Sequence, residues 1–171
     1  VLLLTKPDGQ TQNMKKIIVN GVENPKTVHT INTALYLAKY LYVKEVTIVN
    51  EVHVPGLTMA MAEDSTAPQA KEIKKHLTEE SEETLHSMID KCDSGDIKIT
   101  DKVIKGKPGY AISKYAKHKK ADLLVINSPD TSLNLFDRIF THDIEFVLAE
   151  LPCNVLIVHS RVNPSHGKVS S

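Results

Sequence analysis

The residues of this chain best placed to do chemistry lie in one polar stretch. It runs Asn127-Ser128-Pro129-Asp130-Thr131-Ser132-Leu133-Asn134-Leu135-Phe136-Asp137-Arg138-Ile139-Phe140-Thr141. An apolar run precedes it and an amphipathic one follows. Such a loop leaves the carboxyl end of a strand, where open α/β sheets bind ligands. Thr141, at the start of the next helix, offers a hydroxyl beside unpaired backbone N–H groups, a generic anion site. Arg138 offers a positive charge. A phosphate cradle also needs glycines, which let backbone approach the anion and take positive φ. The stretch contains none. The plainer reading makes Thr141 an N-cap and Arg138 a solvated side chain.

A second candidate is Val19-Asn20-Gly21-Val22-Glu23-Asn24, which also leads from a strand to a helix. It reads as a ligand contact or as turn chemistry, with Asn-Gly turning the chain and Asn24 capping the helix. Turn chemistry is the favoured reading. Other chemistries find no support. The eight histidines form no metal-ligand pattern, and His142-Asp143 are adjacent helix residues that point in different directions. There is no Gly-x-Ser-x-Gly elbow, Walker pattern or Gly-x-Gly-x-x-Gly fingerprint. Cys92 and Cys153 stand far apart, outside any Cys-x-x-Cys pair, and read as small apolar fillers. Lys117, His118, Lys119 and Lys120 suit a helix carboxyl end. No catalytic or metal residue is assigned.

The elements that must position these residues alternate. Apolar runs at 17–19, 46–52, 97–104, 123–126 and 155–158 read as strands. Between them lie four amphipathic helices. Asn24 and Pro25 open the first as N-cap and first helical residue. Val28, Ile31, Ala34, Leu35, Leu37, Ala38 and Leu41 form its apolar stripe. The second spans roughly residues 69–91, with Ala70, Ile73, Leu77, Thr84, Leu85 and Met88 on its buried face. Gly106-Lys107-Pro108 opens the third, which carries Ala111, Ile112, Tyr115 and Ala116 inward. The fourth starts at Thr141 and buries Ile144, Val147, Leu148 and Leu151. Strands alternating with helices predict a single doubly wound α/β domain. Its five-stranded parallel sheet has helices on both faces. Residues 54–68, with prolines at both ends, form a long irregular loop of the kind that is functional or mobile.

Composition narrows the class. The chain has 171 residues, 41% hydrophobic and 25% charged, with a formal net charge of zero. That balance gives no reason to expect nucleic acid as a partner. No apolar run approaches the roughly 20 residues that span a bilayer, so no direct membrane insertion is expected. Sparse cysteines fit a reducing, cytoplasmic compartment. Residues 1–13 read as a leader, a cloning remnant or a linker from an upstream domain, because Met14-Lys15-Lys16 reads like a natural start. The Val1-Leu2-Leu3-Leu4 run looks like the strand at 155–158, a hint of a tandem arrangement. Residues 14–160 form the domain, and 161–171 a polar tail expected to be disordered.

The chain resembles the universal stress protein family. The resemblance covers residues 14–160. It rests on Gly106-Lys107-Pro108, Ile112 and Ala116, Ala121-Asp122-Leu123-Leu124-Val125, and the Leu-Pro-Cys-x-Val-Leu-x-Val ending at 151–158. Val19-Asn20-Gly21 stands where ATP-binding members carry Asp-Gly-Ser. In those members a Gly-x2-Gly-x9-Gly-[Ser/Thr] loop wraps the phosphates and ribose. Its glycine positions fall here on Asn127, Asp130 and Phe140, and its hydroxyl position on Thr141, which matches.

The departures all sit at the ligand. Asp130 places a carboxylate where polyphosphate charge would lie, at a cost of about 1 kcal/mol at 4 Å in water and more when desolvated. Phe140 is bulky where bare backbone should face the ligand. The resemblance therefore implies a non-catalytic stress-response or regulatory module with no bound cofactor. Its nucleotide site would be degenerate at Asn20, Asn127, Ser128, Asp130 and Thr141. It would act through protein contacts and a homodimer built on Cys153, Val155, Leu156, Ile157 and Val158, since members often pair through the last strand. Two alternatives stand beside it. One is an ATP- or AMP-binding protein with an altered phosphate loop and slow hydrolysis at most. The other is a cytoplasmic regulatory domain of a larger protein such as a transporter.

Overall fold

Four of the strands form where mainly β-branched and leucine side chains fill both faces of the backbone. This pattern needs cover above and below. The structure, a computed structural model, describes residues 1–5, 14–53, 68–128 and 141–159. Its elements are β1 (Leu2–Leu3), β2 (Ile17–Asn20), α1 (Thr27–Tyr40), β3 (Glu45–Val52), α2 (Pro68–Ile89), β4 (Lys98–Lys105), α3 (Tyr110–His118), β5 (Leu123–Asn127), α4 (Thr141–Glu150) and β6 (Asn154–Val158). They assemble one sheet in the order β1-β6-β5-β2-β3-β4. β2 through β6 pair in parallel, as expected. β1 adds a sixth strand, antiparallel to β6. Its paired length of two residues is too short to show a strand period in the sequence.

The chain winds outward from β2 through β3 to β4, then returns to lay β5 and β6 on the other side of β2. Right-handed crossovers therefore place α1 and α2 on one face and α3 and α4 on the other. The packing agrees. Ile17, Val19, Val46 and Ile48 pack with Ile31, Ala34, Leu35 and Leu85 in one cluster. Ile18, Val49, Leu124 and Ile126 pack with Ile112, Ala116 and Val147 in a second. The winding reverses between β2 and β5, so their carboxyl ends flank a topological switch point.

Helix ends depart from the sequence expectation in instructive ways. α1 begins at Thr27, not at Pro25. Asn24 makes a turn instead of a cap: its Oδ1 accepts from Lys26 N at 2.9 Å and its carbonyl from Thr27 N at 2.9 Å. Ile73 is half-exposed, not buried. α2 has 22 residues, about 33 Å of helix. β4, with eight residues, is about 27 Å long, so α2 is longer than the strand it packs against. Leu148 and Leu151 lie exposed near the end of α4, and Val147 alone of its expected core leucines and valines is fully buried.

α3 is anchored by a long-range cap. The Glu51 carboxylate, from β3, accepts Gly109 N at 3.0 Å and Ile112 N at 2.7 Å. Both are first-turn N–H groups that no helical carbonyl can reach. Gly109 sits at φ 76°, a left-handed conformation that favours glycine.

Candidate functional site

β2 and β5 run in register from Ile17–Leu123 to Val19–Val125. Their last residues, Asn20 and Asn127, therefore stand at the same edge of the sheet, on either side of the switch point. α1 starts beside them and presents Thr27 and Thr30 from its first turn. Both threonines are fully buried.

These side chains form a closed network. The Thr30 hydroxyl donates to Asn127 Oδ1, and Asn127 Nδ2 donates to Thr27 Oγ1 at 3.0 Å. Thr27 Oγ1 in turn donates to the Val22 carbonyl at 2.6 Å. The tip of β5 is thereby stitched to α1 and to the loop after β2. The network is neutral and carries no charge toward a ligand. Its sequence signal was available: Thr27 and Thr30 lie in line with Ile31, Ala34 and Ala38, so two hydroxyls interrupt a buried stripe. Buried hydroxyls require partners.

Asn20 contrasts with it. Asn20 Oδ1 is buried without a hydrogen-bond partner among the described residues. An acceptor in that state costs about 1–3 kcal/mol unless something donates to it. Gly21, next in sequence, is fixed by packing. Its N–H donates to the Val49 carbonyl at 2.7 Å. A Cβ there would lie 2.7 Å from Leu85 Cδ1 and 2.8 Å from Ile48 Cγ2.

Ser128 continues the edge. Its N–H donates to the Val158 carbonyl at 2.7 Å, and its Oγ lies 3.2 Å from His159 Nδ1. A hydroxyl and an imidazole in hydrogen-bond reach make part of a nucleophile–base pair. Among the described residues no carboxylate orients this imidazole, and His159 is exposed. Thr141 opens α4 as expected. Its side chain, together with Asp130, Arg138 and Phe140, lies outside the described residues, as do residues 54–67. No cluster of three or more metal-ligating groups occurs among the described residues.

The cysteines are not nucleophiles in this fold. Burial, reinforced by the Asp122 charge, pushes the Cys153 thiol up to about 11. Burial also raises Cys92, whose Sγ lies 3.2 Å from the Met88 carbonyl. Both are protonated at neutral pH. The residues expected at a dimer interface, Cys153 just before β6 and four within it, divide between the faces. Cys153, Val155 and Val158 are buried, while Leu156 and Ile157 are partly buried. What β6 offers laterally is its backbone edge, and β1 occupies that edge.

A family model described as the universal stress protein family matches residues 14–159. The chain belongs to the universal stress protein family. Solved universal stress proteins share its fold. One, in complex with cAMP, is 19% identical with a TM-score of 0.53, covering 86% of this chain and 98% of its own. The hypothetical protein MJ0577 is 19% identical with a TM-score of 0.60, covering 89% and 100%. UspA from Lactobacillus plantarum is 19% identical with a TM-score of 0.53, covering 85% and 97%. At these identities the likeness speaks for the fold. No curated protein sequence matches the chain significantly. No helix among the described residues is long and apolar enough to cross a membrane.

Proposed function

We propose that this universal stress protein domain is a non-catalytic regulatory module in stress response. Its nucleotide site is degenerate, and it acts by pairing with a second copy and by contacts with other proteins. The observation that carries this reading is the Asn127 side chain, tied to Thr30 and Thr27 at the switch point. In a phosphate cradle this position presents bare backbone; here an amide group fills it and is bonded from both ends. Gly21 lends no cradle either, because its missing Cβ makes room for Leu85 and Ile48. Asp130 adds negative charge to the same loop. Isothermal titration with ATP and magnesium, then with AMP, tests the reading. Silence up to millimolar ligand is the expected result. Saturable heat at micromolar ligand overturns it.

A second reading has its own support. Asn20 Oδ1, buried and without a partner among the described residues, is an acceptor suited to an exocyclic amine such as that of adenine. Asn20, Asn127, Ser128 and Thr141 would then hold ATP or AMP in an altered pose. Its signature is binding that weakens at least tenfold, about 1.4 kcal/mol, in Asn20→Ala. Undiminished binding in that variant sinks the altered pose.

A further inference from the structure

We infer that residues 1–5 gate self-association by occupying the edge of β6 in place of a second copy. The inference rests on the homodimer reading above and adds its control. β6 is the last parallel strand on its side of the sheet, and an uncovered strand edge is a template for another chain. Here the edge is filled from within. Leu2 stands opposite Leu156 and Leu3 opposite Val155, antiparallel. Val1 N donates to the Ile157 carbonyl at 2.8 Å, and Ile157 N to the Val1 carbonyl at 2.7 Å. At the other end, Asn154 Oδ1 accepts from Thr5 N at 3.0 Å and Thr5 Oγ1 at 3.2 Å. Leu3 packs against the second core cluster, while Leu2 remains 48% exposed.

Three features make this strand a stand-in for a second β6. Val1-Leu2-Leu3-Leu4 has the character of Val155-Leu156-Ile157-Val158. Its direction is antiparallel, the direction that a two-fold axis would impose on a second copy of β6. It also forms backbone hydrogen bonds with Ile157, which a second copy would need at the same edge. Only one strand can hold that row, so the two occupants exclude each other. The tether permits the internal one. Asn154, Leu123 and Ile17 share one end of the sheet, so Thr5 and β2 are separated by three strand spacings, about 14 Å. Residues 6–13 reach further than that, at about 3.3 Å per residue when extended. A segment joined to the domain by so few residues competes at an effective concentration of about millimolar. A second copy at micromolar concentration competes poorly until the segment is released.

The test is sedimentation velocity of the full chain from low to high micromolar concentration, with two variants. Leu3→Asp removes the apolar anchor of β1. Leu2→Cys with Leu156→Cys joins an opposed pair whose Cα separation suits a disulfide. Cys153 is buried and Cys92 partly buried, burial raises both thiols, and the two are far apart in sequence, so oxidation is directed to the engineered pair, with Cys92→Ser as the background for the test. Leu3→Asp is expected to dimerise at a concentration at least tenfold below that of the parent chain. The oxidised pair is expected to stay monomeric and to recover parental dimerisation on reduction. Equal dimerisation of the parent, Leu3→Asp and the oxidised pair overturns the gate and leaves the homodimer reading standing. Monomers throughout, including Leu3→Asp, overturn both. Should Leu3→Asp unfold, the oxidised and reduced forms of the one double variant still decide.

Discussion

Replacing Asn127 by alanine removes the amide that joins β5 to α1, and the structure sets the expected loss. Two hydrogen bonds vanish, one from Thr30 and one to Thr27, each worth about 1 kcal/mol net. Thr30 is fully buried, so its hydroxyl loses its partner away from water, adding about 1 kcal/mol. The lower end of that penalty applies, because a threonine within a helix can turn to the carbonyl four residues back. Thr27 keeps its bond to Val22 and contributes little more. The total is about 3 kcal/mol. For a domain of this size that is a fall in Tm of roughly 6–12 °C. Urea denaturation followed by circular dichroism measures the free energy, with the slope checked against the parent. A double-mutant cycle isolates the contact. Asn127→Ala, Thr30→Val and the double variant should give a coupling energy of at least about 1 kcal/mol. A loss under about 0.5 kcal/mol in Asn127→Ala, or additive single variants, refutes the network, and with it the main support for a closed nucleotide site.

Other consequences are as direct. Glu51→Gln, which turns a charged double acceptor into a neutral amide facing two N–H groups, is expected to lose about 1–2 kcal/mol in urea denaturation and to speed hydrogen exchange at Ile112. A variant as stable as the parent rejects the cap. Gly21→Ala forces a Cβ into Leu85 and Ile48 and should cost about 1–3 kcal/mol; combined with Leu85→Ala, the effects should fall short of their sum. The raised Cys153 thiol means the fold favours its protonated form. Its contribution is therefore full below the unfolded value of about 8.5 and is lost as pH rises toward 11. The urea midpoint should fall across that window more steeply in the parent than in Cys153→Ala, and identical slopes would contradict the assignment.

The frame was legible because its signals are local. Four of the five parallel strands are mainly apolar runs, most with Asn, Asp or Gly at an end, and each helix repeats its apolar residues at helical spacing. Ile112 and Ala116 were placed inward from spacing alone, and they are fully buried. What escaped depends on distance. Glu51 looks like a strand-end surface acid until α3 folds over it, and Asn127 meets Thr30 across 97 positions. Ile73 and Leu148 fit their stripes by period, yet both lie exposed, because period marks a face without telling how far the core beneath it extends. The strand character of Val1-Leu2-Leu3-Leu4 was visible, but its place beside β6 was not, because its order comes from an edge created at the far end of the chain.

Frame and site are physically separable here. The sheet is held by side chains that point above and below it, into two apolar clusters that neither Asn20 nor Asn127 enters. The tips of β2 and β5 have a different requirement. They end in polar side chains at a crevice, and buried polar atoms must be satisfied by something. In a binding site the ligand supplies part of that satisfaction, so the tip residues remain available until it arrives. Asn127 takes the other course and draws its partners from α1. A hydrogen bond made internally adds about 1 kcal/mol to the fold at all times. It must also be broken, at the same cost, before a ligand can take its place. Stability gained at this tip is therefore affinity withheld from any ligand that competes for it. The Oδ1 of Asn20, across the switch point, makes no such bond among the described residues. A donor that reached this buried oxygen would find an acceptor with no described partner, and a closed network opposite.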